Sequence, residues 1–380
     1  MIIFICMHLS GCNSLDLSLT DTLEEKDNSH AEIRSGLEKK TPIKQEISVS
    51  AIGDILIHDR VYNDAKVDDG YDFYPMLSEV QPYLHDSTIT FANQETMIGG
   101  VKLGLSSYPM FNSPQEVGDT LRDVGVNVVS LANNHTLDRG EEVILRAIEH
   151  WEELDMLYVG AYKNEADQKK IRVMETEEEI SVAFLAYTYG TNGIPVPKGK
   201  EYLVNMIDRE QIAEDIERAS EKANVTIMSL HFGNEYERMP NEEQKALVQF
   251  VADHGVDVVL GTHPHVLQPV EWVTGEDGNK TLVAYSLGNF LSGQEGLYRQ
   301  IGGILKFTIE KQTILGKEKL SIHSPKFLPT FNASENERRY RVLPMMEVTD
   351  DELPNAEENY EEIKEHMSQW MPELEFIETN

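Results

Sequence analysis

Three histidines in this chain lie where α/β proteins bind their ligands. The stretch 227–268, IMSLHFGNEYERMPNEEQKALVQFVADHGVDVVLGTHPHVLQ, reads as strand, loop, helix, strand and loop. His231 ends the first strand, and His263 and His265 follow the second. In parallel architectures the carboxyl ends of strands form the edge at which ligands bind. Neutral imidazoles converging there are a common means of holding a transition metal. His263 and His265 are two residues apart, and in an extended segment that spacing turns both side chains the same way. If the stretch is half of a metal site, acidic and amide ligands must come from other strand ends.

Those strand ends supply them. ISVSAIGD alternates β-branched residues and ends at Asp54, with His58 in the loop that follows. STITFANQE ends at Asn93 and Glu95, NVVSLANNH at Asn133, Asn134 and His135, and LVAYSLGNF brings Asn289 to its end. A single histidine at a strand end is ordinarily structural, and Asn-Asn-His also suits helix capping; the joint occurrence carries the reading. Carboxylates, amides and several imidazoles together suit a two-metal site better than a single zinc. Two such ions need a bridging carboxylate, imidazoles on the outer positions and room for water and substrate. They lower the pKa of water and clamp the oxygens of an in-line displacement. A nearby histidine that binds no metal can protonate the leaving group.

The elements that must position these groups alternate. Ser113-Pro-Gln-Glu predicts a helix with Ser113 as its N-cap, stopping at Gly125. A second helix is expected over 139–154 with Val143, Ala147, Ile148 and Trp151 on one face, and a third over 209–223. Asn241 caps a fourth, whose apolar face is Leu247, Val248 and Val251 and which closes at Gly255. After Gly302 the pattern turns antiparallel, with a hairpin. Strands alternating with helices and then giving way to hairpins predict an α/β (α+β) sandwich with mixed sheets. The domain is placed at 46–345, followed by an acidic helical tail over 346–380. In that tail Tyr360, Ile363, Met367, Trp370 and Met371 recur at the spacing of a packed helix face.

Composition narrows the partners. With 33 Lys+Arg against 66 Asp+Glu, the formal charge of −33 opposes nucleic-acid backbones and anionic membrane surfaces. Both cysteines, Cys6 and Cys12, fall in the first dozen residues, so metal ligands in the body must be nitrogen and oxygen donors. Residues 1–12, MIIFICMHLSGC, end like a bacterial lipobox with Cys12 as the lipidated residue. The run is too short to span a bilayer. Residues 13–45 are polar and charged and read as a flexible tether. The expectation is a domain outside the cytoplasmic membrane, attached through a lipid alone.

Taken together, AIGDILIHDRV (51–61), FANQET (91–96), VVSLANNHTLDRG (128–140), SLHFGNEYE (229–237), GTHPHVLQPVE (261–271) and YSLGNF (285–290) resemble the CapA family of poly-γ-glutamate capsule biosynthesis proteins. That family's fold is similar to the calcineurin-like metallophosphoesterases, and the resemblance covers roughly residues 47–310. It implies a four-layer αββα sandwich with two mixed β-sheets, and two divalent metal ions (Mn, Zn or Fe). It implies Asp54 as the first metal ligand and Glu95 where the phosphoesterases keep a bridging aspartate. Asn134, His231, His263 and His265 would complete the ligands, with His135 as general acid. His58 stands four residues after Asp54 rather than two, which leaves its role open beside Asn93 and Asn289 as additional site residues. Thr262 replaces the middle imidazole of the GHHPH found in many members.

The implied function is poly-γ-glutamate capsule synthesis or export, through metal-dependent hydrolysis of a phosphoester or an envelope-polymer bond. The alternative is a non-catalytic, polyglutamate-binding subunit of a synthase or exporter. Implied partners are an anionic polymer or phosphoester and the membrane subunits of a capsule synthase. A polyanion is repelled by so acidic a chain unless the field is reversed locally. Arg60, Arg139 and Arg238, each close to a motif, are the residues expected to do so, surface ion pairing being their other reading.

Overall fold

Side-chain alternation divides the central strands between two cores. In strand Ser181–Thr188, Val182, Phe184 and Ala186 enter one hydrophobic cluster while Ala183, Leu185 and Tyr187 enter the other. Strand Val225–His231 splits the same way, Ile227 against Met228 and Leu230, as does Val258–Thr262, Val258 and Leu260 against Val259. A period of two puts successive residues on opposite faces of a sheet, so fully apolar strands require a covering layer on each face. On one face of this sheet the helices Arg209–Ser220 and Glu242–Asp253 provide it through Ile212, Ile216, Leu247, Val248 and Val251. On the other face lies a second sheet, and Phe91 of that sheet stacks on Phe184 with ring centroids 6.3 Å apart.

The structure is a computed structural model that describes residues 43–378. The expected lipidation site Cys12, the apolar segment before it and the expected tether as far as residue 42 lie outside the described residues. The first strand begins at Ile43, three residues before the expected domain start.

Both sheets are mixed. The first runs Arg341–Pro344, Lys317–Ala333, Ile301–Ile314, Ile43–Leu56, Ile89–Gln94, Val128–Ser130 and Leu157–Val159 in spatial order, with Asn289–Ser292 added beside Ile43–Leu56. The second runs Leu267–Thr274, Lys280–Leu287, Val258–Thr262, Val225–His231, Ser181–Thr188 and Arg172–Glu175. Its four inner strands are parallel and its two edge strands antiparallel. Helices Glu116–Asp123 and Gly140–Glu153 extend the first sheet's core with Val117, Leu121, Ile144, Ile148 and Trp151. The four-layer αββα arrangement with two mixed sheets is therefore present.

The strand ends that carry the polar residues are packed against one another through glycine. A Cβ at Gly53, next to Asp54, would sit 2.0 Å from the Gly288 carbonyl oxygen, and one at Gly261, next to Thr262, 1.9 Å from that of Tyr285. Any side chain there would push the candidate ligands apart.

One local expectation differs from the structure. Ser113 is not an N-cap: the helix starts at Glu116, and the Ser113 hydroxyl instead donates to Thr96 Oγ1 at 2.9 Å. A loop that must hold Glu95 has a stronger use for that hydroxyl than a helix end on the surface. The Asn241 cap forms as expected, with Gln244 completing a capping box. The acidic tail is built into the body. Helix Ala356–Ser368 lies against strand Leu267–Thr274 with Ile363 and Met367 buried, and Glu375–Phe376 adds a short parallel strand beside Lys326–Phe327.

Arg172 ties the two sheets at one edge. Its Nη2 is 2.8 Å from Asp167 Oδ1, its Nε donates to the Tyr158 carbonyl at 3.2 Å, and its guanidinium lies over the Tyr158 and Tyr162 rings. Both partners of the ion pair are nearly buried, so Arg172→Met should leave the Asp167 charge uncompensated and cost about 3–5 kcal/mol. Urea unfolding of the variant checks this, and a loss below about 1 kcal/mol would contradict it.

Candidate metal centre

At the carboxyl edge the six strand ends meet. Asp54 ends its run beside Asn93 in parallel register, and Asn93 Nδ2 donates to Asp54 Oδ1 at 2.8 Å. His231 and Thr262 are cross-strand partners, and their Nδ1 and Oγ1 atoms are 2.9 Å apart. His231 Nε2 lies 2.9 Å from Asn134 Oδ1 and 3.8 Å from Glu95 Oε1. His265 Nδ1 lies 3.2 Å from Asp54 Oδ2 and 3.1 Å from Asn289 Oδ1, and its Nε2 is 3.7 Å from Glu95 Oε1. Asp54, Glu95 and His265 are all buried, and each offers a donor atom within 4.8 Å of the others'.

His263 and His265 do converge, but not as an extended pair. Their φ angles are +96° and +59°, so the segment bends through the left-handed region, and the two rings end 5.9 Å apart. Such backbone is unfavourable for a β-carbon residue and persists where the surroundings over-determine it. Here the Tyr236 amide donates to the Pro264 carbonyl at 2.8 Å and pins the bend.

The buried polar atoms test whether these residues fit a metal. Among the described residues, Asp54 Oδ2, both Glu95 oxygens, Asn93 Oδ1 and His263 Nδ1 have no hydrogen-bond partner. Buried carboxylate oxygens without donors are costly, and a cluster of such lone pairs facing one another is what a cation relieves. Burial pushes the Glu95 carboxyl well above its usual range, with His265 opposing and Asp54 adding to the rise. Burial also holds His231 well below its ordinary value and His263 down at about 3, so both rings are neutral, the form that binds metal. Burial would lower His265 too, but Glu95 and Asp54 outweigh it and raise the ring to about 9. Thr262 replaces an imidazole with a hydroxyl that can accept from His231 Nδ1, which leaves Nε2 as the lone pair facing Asn134 and Glu95. The donor set fits a divalent ion.

His135 stands beside these donors with a different set of partners. Its Nδ1 is 2.7 Å from Asp138 Oδ2, which also accepts the Phe111 amide at 2.8 Å. Phe111 meets the His135 ring edge-on at 4.8 Å. A carboxylate on Nδ1 fixes the tautomer and leaves Nε2 as the nitrogen for proton transfer.

A family model described as bacterial capsule synthesis protein PGA_cap matches residues 48–294. The chain belongs to this family. Among relatives, it is 26% identical over 322 residues to the capsule biosynthesis protein CapA of Bacillus anthracis, covering 80% of this chain and 76% of that one. It is 25% identical over 275 residues to the PGA biosynthesis protein CapA of Bacillus subtilis (strain 168), covering 72% and 70%. A solved Staphylococcus aureus chain, a candidate 5'-nucleotidase, superposes with a TM-score of 0.40 at 14% identity, covering 83% of this chain and 58% of that one.

In this PGA_cap member some expected site residues are engaged elsewhere. His58 is buried, with its Nδ1 3.1 Å from the Leu56 carbonyl and accepting the Gly293 amide at 3.2 Å, and it belongs to neither cluster of close donors around His265. Burial lowers it to about 4. Four residues after Asp54 rather than two, it lies beyond the strand end at Leu56. Arg60 pairs with Glu337 and Glu295, and Arg238 forms a two-pronged pair with Glu362 of the C-terminal helix. Arg139 donates to Leu103 and Gly104 carbonyls and to Ser106 Oγ. The three arginines therefore serve local pairing, and none of them hydrogen-bonds a candidate ligand.

Glu235, Asp138 and Asn192 were not legible as site residues. Asn192 Oδ1 accepts from Asn134 Nδ2 at 3.1 Å, which turns Asn134 Oδ1 towards His231. Asp138 lies three residues after His135 in the motif NNHTLD, a spacing that suits a local His–Asp pair and was the available signal. Among the described residues no helix is long and apolar enough to cross a membrane.

Proposed function

We propose that this family member is a metal-dependent hydrolase of the cell envelope that cleaves a phosphoester or a bond of an anionic capsule polymer such as poly-γ-glutamate. One observation carries the reading: the buried, partnerless oxygens of Asp54 and Glu95 converge on His265 beside a separate His135–Asp138 pair. Asp54, Glu95, Asn134, His231, His263 and His265 would hold two divalent ions, which when bound supply Lewis acidity and a nucleophile at neutral pH. The remaining work falls to the chain. Asp138 holds the His135 ring through Nδ1, which leaves Nε2 as the nitrogen that delivers a proton to the departing oxygen or nitrogen. Phe111 walls the ring on one edge, and Tyr189, 4.5 Å from the His263 ring, walls the histidines on the other side.

Purified protein should carry about two Mn, Zn or Fe per chain. It should also hydrolyse a chromogenic phosphodiester or phosphomonoester in a chelator-sensitive way. Protein that takes up no metal would overturn the centre. Metal-loaded protein with no turnover above the His135→Ala variant would overturn the hydrolase and favour a polyglutamate-binding subunit.

We also propose attachment to the membrane through a lipid on Cys12. Labelled palmitate should enter the wild-type chain in a lipoprotein-processing bacterium and be absent from Cys12→Ala; equal labelling excludes that site.

A further inference from the structure

Beside the buried cluster lies a second set of mutually close donors: Glu235, His263 and His265, whose ligand atoms lie within 4.8 Å of one another. His263 and His265 are buried and Glu235 is exposed, so this set faces solvent where the first faces the core. The buried His263 has a ring nitrogen, Nδ1, with no hydrogen-bond partner among the described residues, an independent sign that a ligand is missing at this ring. Glu235 is held in register with the two histidines by its own neighbours. The Tyr236 amide donates to the Pro264 carbonyl between them, and the Tyr236 ring lies 6.1 Å from that of His265. One residue further on, Gln268 Nε2 donates to the Glu237 carbonyl at 2.7 Å, and Gln268 is itself fixed by Gln244. A donor built on a pinned loop is preorganised.

His58, in the loop after Asp54, has its Nδ1 beside backbone groups and belongs to neither set of mutually close donors. We propose that Glu235 is a metal ligand of this chain, a solvent-facing carboxylate that joins His263 and His265 on the outer side of the centre. The inference rests on the metal-centre reading above. It adds a third carboxylate to the donor set and so favours hard, oxygen-preferring ions such as Mn²⁺ over ions that prefer nitrogen and sulfur.

The test is calorimetric titration of Mn²⁺ into chelator-stripped protein, comparing wild type with Glu235→Gln and Glu237→Gln. Glu235 is exposed, so its variant should fold, and circular dichroism confirms that. Expected is a loss of at least about tenfold in Mn²⁺ affinity, or of one bound ion, in Glu235→Gln. Glu237→Gln, two residues away on the same loop, should match wild type. Equal Mn²⁺ binding by wild type and Glu235→Gln overturns the role of Glu235 while leaving the centre intact. Absence of binding in the wild type overturns the centre itself, and the proposal with it.

Discussion

Replacing His135 with alanine is expected to lower turnover by roughly 10²–10⁴-fold while metal content stays at the wild-type level. The separation follows from the ring's partners. His135 Nδ1 is committed to Asp138 at 2.7 Å, and His135 appears in neither cluster of close metal donors. Removing it deletes a proton donor and leaves every carboxylate of the centre in place. The buried ring packs edge-on against Phe111 and vacates a modest cavity, so the stability cost should stay within about 3 kcal/mol. Asp138→Asn is the informative companion. An amide in place of the carboxylate can present its NH₂ to Nδ1, which moves the ring proton to Nε2 in the neutral form and removes the charge that stabilises imidazolium. Its kcat should fall as well, again with metal retained. Steady-state kinetics alongside metal analysis of the same preparations decides the matter. If His135→Ala loses metal in proportion to activity, His135 is a ligand and not an acid.

The fold was legible because its strands are long enough to show which face each residue serves. Apolar runs ending in polar residues marked both the inner strands and their carboxyl edge, and Asp54, Glu95, Asn134, His231, His263 and His265 meet there. His263 and His265 converge by a different geometry from the one their spacing suggested. Two left-handed residues and a pinned bend bring the rings together, and φ cannot be read from a Thr-His-Pro-His string. Arg60, Arg139 and Arg238 lie near motifs in sequence, but their side chains reach partners that sequence distance hides, Glu362 being 124 residues from Arg238. Glu235 was passed over for the same reason. An exposed glutamate in an acidic chain looks like solvation until the loop that carries it is seen docked on Pro264. Ser113 shows the reverse error, a strong local cap signal overruled by a tertiary hydrogen bond to Thr96.

Glu95→Gln should reverse its effect on stability when metal is added. Both Glu95 oxygens are buried without hydrogen-bond donors, and burial raises the carboxyl well above its usual range. A folded-state pKa above the unfolded one means that the native state binds the proton more tightly. The charged form therefore penalises folding increasingly as pH climbs from the ordinary carboxylate value towards the raised one. Without metal, at pH 8, the glutamine variant should be the more stable protein by about 1–3 kcal/mol, the scale of one unsatisfied buried group. Near pH 4 the advantage should shrink, because wild-type Glu95 is then largely protonated in the unfolded state as well. With metal the order inverts. An ion that binds only the native wild type adds about 2.7 kcal/mol at a hundredfold excess over its Kd. The variant, short of a central carboxylate, gains little. Urea unfolding at pH 4 and pH 8, in chelator and in Mn²⁺, gives the four comparisons. A variant weaker than wild type in chelator at pH 8 would mean that Glu95 is satisfied by a partner other than metal. Equal stabilisation of both proteins by Mn²⁺ would place the ion elsewhere. The predicted crossing links the partnerless oxygens to metal binding without recourse to any substrate: the same buried charge that weakens the metal-free fold is the one that gives the ion its hold.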